Sequence, residues 1–394
     1  MAEPLPILTL NSISATGLQR LPRERYSVGA QVDSPAAILV RSHDMKEMEI
    51  PASVRAVGRA GAGTNNIPVQ ALSKRGIPVF NAPGANANAV KELVLAGMLI
   101  AARNLVPAIR FTDNLSGTDE EIEKKVEGGK KDFAGVELPR HVLGIIGLGK
   151  VGSLVADAAI KLGMDVCGYD PEITVDAAWS LPSQVRKAHS IEEVLRDSDF
   201  VTLHVPLLDA TRNLIDAKRI GLMKKRAVLL NFSRDGIVDN TAVLDALDAG
   251  KLKSYVCDFP GARFKGHSAV VAMPHLGAST REAEENCAIM VVDQVRDYLE
   301  NGNIRNAVNF PDVVMPRESP YRLGIANANV PNMVGQISTA LAQAGLNIHN
   351  MLNKSRKDMA YTLVDVDSAV PGKVTDQISA IAGVLAVRYL PAAL

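Results

Sequence analysis

Three cysteines in 394 residues, Cys167, Cys257 and Cys287, are too few and too widely spaced for a disulfide framework, and no C-x-x-C pair offers a zinc or redox motif. They read as reduced, buried thiols, and no metal site is expected. Net charge is also missing. Lys plus Arg and Asp plus Glu number 43 each, so the chain lacks the broad basic field that nucleic acid or anionic lipid would demand. The longest apolar run, Leu93 to Ala102, falls short of the ~20 residues of a membrane span. Met1-Ala2-Glu3-Pro4-Leu5-Pro6 contains no basic region followed by an apolar core, so no export signal is expected. The expectation is a cytoplasmic protein with a small-molecule substrate and neither a nucleic-acid nor a membrane partner. Its length calls for two or three cores of ~100–200 residues.

What is present begins with Gly147, Gly149 and Gly152, a G-x-G-x-x-G that follows the apolar run Val142-Leu143-Gly144-Ile145-Ile146. The first glycine permits a tight turn, the second lets backbone approach a pyrophosphate, and the third lets helix and strand pack closely. Val151, Val155, Ala158 and Leu162 recur at helical spacing before Gly163, which predicts a helix with these residues on its buried face. The unpaired N–H groups at its start suit a diphosphate. Asp170 follows the next apolar run and is placed to accept ribose hydroxyls and to repel a 2′-phosphate, which favours NAD over NADP. Gly58, Gly61 and Gly63 also follow an apolar stretch. They run into Thr64-Asn65-Asn66-Ile67-Pro68, a turn and not a long helix, so a second nucleotide site is not expected there.

Along the chain, Ile7 to about Val90 alternates short apolar runs with helical stretches, as βα units do. Ala89 to Arg103 is helical and apolar nearly all round, which implies burial between domains or against a second subunit. Asp113 to Lys131 reads as a solvated connection or surface helix. A second βα series predicts strands near 142–146, 165–169, 200–204, 227–231, 254–258 and 270–272, hence a parallel sheet covered on both faces. A helix near Glu282–Glu300 follows, and Ala307 to Pro320, with Pro311, Pro316 and Pro320, reads as a semi-rigid linker. The remainder reads β-α-β-β-α-β, the ferredoxin-like order. Its first helix is predicted to bury Val334, Ile337, Leu341 and Ala344, and its second Val374, Ile378 and Ile381. The fold class is therefore α/β, with two doubly wound Rossmann-like domains and a C-terminal ferredoxin-like domain.

Two further segments end strands where such sheets hold ligands, Asn231-Phe232-Ser233-Arg234 and Pro274-His275-Leu276-Gly277-Ala278-Ser279. Arg234 suits a carboxylate through two parallel hydrogen bonds, and His275 suits proton exchange near neutral pH. The pair fits hydride transfer between a 2-hydroxy acid and NAD; singly, each also reads as an ordinary surface arginine or structural histidine. His204, with Val205-Pro206 after it, reads as lining the cofactor site.

The glycine motif, Tyr169-Asp170, His204-Val205-Pro206, Asn231-x-Ser233-Arg234 and Pro274-His275-Leu276-Gly277-Ala278-Ser279-Thr280 together resemble the D-isomer-specific 2-hydroxyacid dehydrogenases. The likeness extends to a branch that acts on a phosphorylated substrate and carries a C-terminal ACT domain. It implies a discontinuous substrate domain (1–90 and 285–314), an NAD domain (91–284) and an ACT domain (320–394). It implies cofactor contacts from Gly147, Gly149, Lys150, Val151, Gly152, Asp170, Phe232, Ser233, Asp258 and Gly277, although Asp258 also reads as a strand-end cap. Substrate contacts are implied for Gly61, Ala62, Gly63 and Asn86, with Arg41 and Arg59 as candidates for a phosphate. Asn329 and Asn347 occupy ACT effector positions, which suggests a serine effector, and the family implies a homodimer or homotetramer. One departure stands out. The family normally places a glutamate soon after the strand-end aspartate to orient the histidine, and Asp258-Phe259-Pro260-Gly261-Ala262-Arg263-Phe264-Lys265-Gly266 contains no such acid. Asp235 and Glu282 are the candidates to replace it. The alternatives are a dehydrogenase with no need for phosphate and an NAD-sensing protein that has lost catalysis.

Overall fold

The computed structural model describes residues 3–391, apart from the side chain of Asp176. Two compact units divide the chain, Met1–Asn86 with Arg281–Leu394, and Ala87–Thr280. The first holds a parallel sheet of β1 (Leu5–Leu10), β2 (Tyr26–Gly29), β3 (Ala37–Val40), β4 (Ala56–Arg59) and β5 (Val79–Phe80), in the order β2-β1-β3-β4-β5. β3 is apolar at every position because both of its faces are covered: Ala37, Ile38, Leu39 and Val40 are all 0% exposed. Helix Arg281–Asn301 lies so close to β4 that a Cβ on Gly58 would sit 2.8 Å from Val291 and Val295. That glycine serves packing.

The second unit contains β6 (Val142–Ile146), β7 (Asp165–Tyr169), β8 (Arg186–Lys187), β9 (Phe200–Leu203), β10 (Ala227–Asn231), β11 (Leu252–Cys257) and β12 (Val270–Ala272). They form one parallel sheet in the order β12-β11-β10-β9-β6-β7-β8, with the reversal of strand order between β6 and β9. A ligand crevice belongs outside the carboxyl ends at that switch point. The two-residue β8 carries too short a signal to read from sequence.

In the first unit a third, antiparallel sheet joins β13 (Tyr321–Ala328), β14 (Ile348–Arg356), β15 (Met359–Val366) and β16 (Val384–Pro391) in the order β14-β15-β13-β16. Leu323, Ile325, Val364 and Val366 face helices Met333–Gln343 and Gly372–Ser379. Ala326, Tyr361 and Leu363 belong instead to the core built around helix Arg281–Asn301. The carbonyls at the end of that helix are claimed by this module. Arg388 donates to Tyr298 and Leu299 at 3.0 Å each, Arg317 to Glu300 at 3.2 Å, Arg322 to Asn301 at 3.2 Å, and the Tyr361 hydroxyl to Gly302 at 2.8 Å. The fold class read from the sequence is the one observed: two parallel α/β sheets and a β-α-β-β-α-β tail.

Three local expectations need correcting. Helix Lys150–Lys161 buries Gly152, Val155, Ala156 and Ala159, whereas Leu162 is 40% exposed beyond its end. Small residues pack against helix Ala87–Ala102, and a large apolar one is not needed. Val334 is likewise 40% exposed; Met333, the first helical residue after left-handed Asn332 (φ +63°), takes its place on the buried face with Ile337, Ala340 and Leu341. Helix Ala87–Ala102 buries Val90, Val94 and Met98 within its own unit's core, while Leu99 on the same helix is 42% exposed, so the helix is not covered all round within that unit. The segment read as a linker is a packed strap, with Phe310, Val313 and Met315 at most 3% exposed. Arg322 holds it by donating to the carbonyls of Met315 and Pro316.

Arg322 also pairs with Asp365 at 2.6 Å, and both side chains are 0% exposed. Removing one partner strands a buried charge. Arg322→Met should therefore lower the stability of the first unit by about 3–5 kcal/mol, and adding Asp365→Leu should recover much of it. Urea unfolding of wild type and the two variants checks this.

Candidate active site

The glycine turn shows why each glycine is required. Gly147 has φ +95°, and a Cβ there would lie 2.5 Å from the His204 carbonyl oxygen. A Cβ on Gly152 would lie 2.0 Å from the Gly147 oxygen, so helix and strand could not approach. Gly149 differs, since a Cβ there meets nothing within 4 Å. It faces open space beside the start of helix Lys150–Lys161, which has no side-chain cap. The N–H groups of Lys150, Val151 and Gly152 have no intrahelical acceptor, and with the helix dipole they form an anion site. Asp170, just past β7, ties the strand end to this turn. Its carboxylate accepts from the Leu148 N–H at 2.8 Å and the Glu172 N–H at 2.9 Å. Each oxygen keeps acceptor capacity for a ribose hydroxyl. The residues present therefore fit a dinucleotide.

Across the switch point, the His204 N–H donates to Ile146 at 2.8 Å, and Nε2 lies 3.0 Å from Thr202 Oγ1. Burial lowers its imidazole to a pKa of about 3, so it is a neutral wall at physiological pH. Asn231, 0% exposed at the end of β10, shapes the loop after it. Its Oδ1 accepts from the Ser233 N–H, and its Nδ2 donates to the Arg234 carbonyl. Ser233 Oγ donates to the Leu203 carbonyl at 2.6 Å. Arg234 is exposed and commits one N–H to the Ser233 carbonyl, which leaves donors of its fork for a ligand. The Phe232 ring lies in the core beside Gly97, so only its backbone is available to a cofactor.

Asp258 sets the histidine loop. It is 1% exposed and clamps the N–H groups of Leu276 and Gly277 at 2.7 and 2.8 Å. The clamp holds His275 in a left-handed conformation, φ +58°, which a non-glycine residue adopts only under constraint. The His275 ring is exposed and packs edge-on to Phe259 with centroids 5.2 Å apart. Among the described residues no carboxylate hydrogen-bonds it. Asp235 accepts instead from Asn240 at 3.0 Å.

In the other unit, Arg41, Arg59, Gly61, Ala62 and Gly63 gather at the carboxyl ends of β3 and β4. The Arg59 Nε donates to the Arg41 carbonyl at 3.1 Å, and the Gly61 carbonyl accepts from Ala82 at 3.0 Å. Asn81 donates to the Ala62 carbonyl at 2.5 Å, which ties this loop to the one that ends in half-buried Asn86. Arg41 forms an ion pair with Glu284 at 2.6 Å. Sequence reading missed Glu284 because 243 positions separate the partners. The two effector candidates are not brought together. Asn329 borders a cavity of about 160 Å³ with Asn327 and Asn353, and Asn347 is not among its lining residues. No group of three metal-ligating side chains occurs among the described residues, and no single helix there is long and apolar enough to cross a membrane.

A parallel sheet with an uncapped glycine-turn helix at its switch point and an acid at the next strand end defines a dinucleotide-binding domain. Residues 104–277 match the model for the D-isomer specific 2-hydroxyacid dehydrogenase NAD binding domain. D-3-phosphoglycerate dehydrogenase of Haemophilus influenzae is 33% identical over 363 residues, 89% of this chain and 85% of that one. The enzyme of that name from Methanocaldococcus jannaschii is 36% identical over 305 residues, covering 75% of this chain but 54% of its own longer one. An NAD+-bound 3-phosphoglycerate dehydrogenase of Entamoeba histolytica shares the fold, with a TM-score of 0.60 at 23% identity over 78% of this chain and 99% of that one. This chain belongs to the D-isomer-specific 2-hydroxyacid dehydrogenases, and its nucleotide domain is an NAD domain.

Two outcomes follow from the geometry. Gly149→Ala should leave stability within about 0.5 kcal/mol of wild type while weakening NAD binding, whereas Gly152→Ala should disrupt the domain itself. Calorimetric titration with NAD and thermal unfolding separate the two. His204 supplies a pH dependence. Its folded pKa of about 3 lies below the ordinary ~6.5, so the unfolded chain takes up that proton first as pH falls. The stability it confers is complete above pH ~6.5 and is lost toward pH ~3, at a slope of at most about 1.4 kcal/mol per unit. Unfolding of His204→Gln across that window should lack this component.

Proposed function

We propose that this chain oxidises D-3-phosphoglycerate to 3-phosphohydroxypyruvate, the entry to serine synthesis. The observation that carries the reading is the pairing of Arg234 and His275 on strand-end loops of the NAD domain, each loop braced by a buried side chain, Asn231 or Asp258. NAD supplies the acceptor for the hydride that leaves C2. Arg234 holds the substrate carboxylate through its free donors, helped by the amides of Ala62 and Gly63, and Asn86 contacts the substrate; the Gly61 N–H, also expected there, donates instead to the Arg59 carbonyl at 2.8 Å. His275 takes the C2 hydroxyl proton as the hydride departs. Arg41 and Arg59 receive the phosphate, and the Arg41–Glu284 pair opens or is shared when a dianion arrives.

The domain assignment we favour has 1–90 and 285–314 as the substrate domain, 91–284 as the NAD domain and 320–394 as an ACT domain. A homodimer or homotetramer is supported by exposed apolar side chains, Leu99 at 42%, Leu105 at 39% and Ile109 at 57%. Serine as effector is supported by the cavity beside Asn329 and less by Asn347, which lies outside its lining. A second reading, an NAD sensor without turnover, draws on the absence of a described carboxylate beside His275.

Steady-state rates test the choice. D-3-phosphoglycerate should be used at least tenfold more efficiently than D-glycerate. His275→Asn should lower kcat by roughly 10²–10⁴-fold with NAD affinity unchanged. Equal efficiency on the two acids points to a dehydrogenase with no phosphate requirement. NAD binding with no turnover on either favours the sensor.

A further inference from the structure

A second cavity shares no lining residue with the small one at Asn329. It has a volume of about 720 Å³ and sits in the first unit beside helix Arg281–Asn301. Gln294 lines it. This side chain is 7% exposed, and neither its amide nitrogen nor its amide oxygen has a hydrogen-bond partner. A buried primary amide left without donor and acceptor partners is unfavourable, so a residue of this kind facing a cavity of this size marks a place for a polar ligand. Arg305, also on the lining, is exposed and has no side-chain partner among the described residues. Asp293 and Asp297 lie on the same wall. Asp293 is engaged by Arg20, and Asp297 by Asn301 and Asn303. Ile289, Met290 and Ala85 supply apolar surface.

We propose that this cavity binds a small α-amino acid with an aliphatic side chain. Arg305 takes the carboxylate, the Asp293 and Asp297 oxygens attract the ammonium, the Gln294 amide bonds to both ends, and the apolar wall takes the side chain. The site adjoins the loop that carries the candidate substrate contacts. Asn306 lines the cavity, its carbonyl accepts from the Asn81 N–H, and Asn81 holds the Ala62 carbonyl. The proposal does not rest on the reaction above, because binding is measured without turnover.

L-leucine is the probe, titrated calorimetrically into the full chain. One site per chain is expected, weakened at least tenfold by Gln294→Leu and by Arg305→Ala and unchanged by Asn329→Ala. 4-Methylpentanoate, which lacks the ammonium, should bind at least tenfold more weakly than L-leucine. A wild-type urea-unfolding transition of the first unit shows that each variant is folded, and exposed Arg305 keeps the test valid if Gln294→Leu does not fold. Absence of L-leucine binding, binding that survives both cavity substitutions, or equal binding of the des-amino acid would each overturn the proposal.

Discussion

The last turn of helix Arg281–Asn301 is the point on which the first unit depends. A helix ends with carbonyls that have no intrahelical donor, and here the carbonyls of residues 298 to 302 are all met from outside, by Arg388, Arg317, Arg322 and Tyr361. Cations at a helix C-terminus also complement the dipole. Arg388 adds a stack over the Tyr298 ring at 4.5 Å, and Arg322 adds the buried pair with Asp365. The C-terminal sheet, the proline-rich strap and the helix that covers β4 are thereby one packed body. A buried pair of this kind gives little net stability over an apolar equivalent. It does forbid alternative arrangements of the strap, since any shift would leave a desolvated charge unmatched.

The same device recurs on the nucleotide side with polar groups in place of helix ends. Asn231 and Asp258 are both almost fully buried at the carboxyl ends of adjacent strands. Each spends its side chain on the backbone of the loop that follows. Arg234 and His275 are then left exposed on loops whose shape is set beneath them. The shape of both loops thus comes from buried side chains whose polar atoms are spent on backbone.

The glycine motif was legible because its requirements are local: a turn, an open approach and a close crossing all lie within a few residues. The face of the helix after it was misread because side-chain volume at a helix crossing depends on the partner helix, and small Gly152, Ala156 and Ala159 are what that crossing admits. Asp258 was legible as a strand-end acid and as a cap. Only the fold reveals that both of its oxygens are taken by the histidine loop. Glu284 and Gln294 carried no readable signal, being a first-turn acid and a polar residue in an otherwise amphipathic helix.

By itself the sequence determined the α/β class and the tail's β-α-β-β-α-β pattern, and it set Arg234 and His275 at strand ends. Those follow from periodicity and from residues whose function needs only near neighbours. Tertiary structure alone decided that the strap is packed, that Arg41 is matched by Glu284, and that Arg317 of the strap with Arg322 and Arg388 of the tail cap one helix. Such contacts join positions up to 243 residues apart, and no local rule connects them. Burial and ion pairing become defined only when distant segments exclude water together.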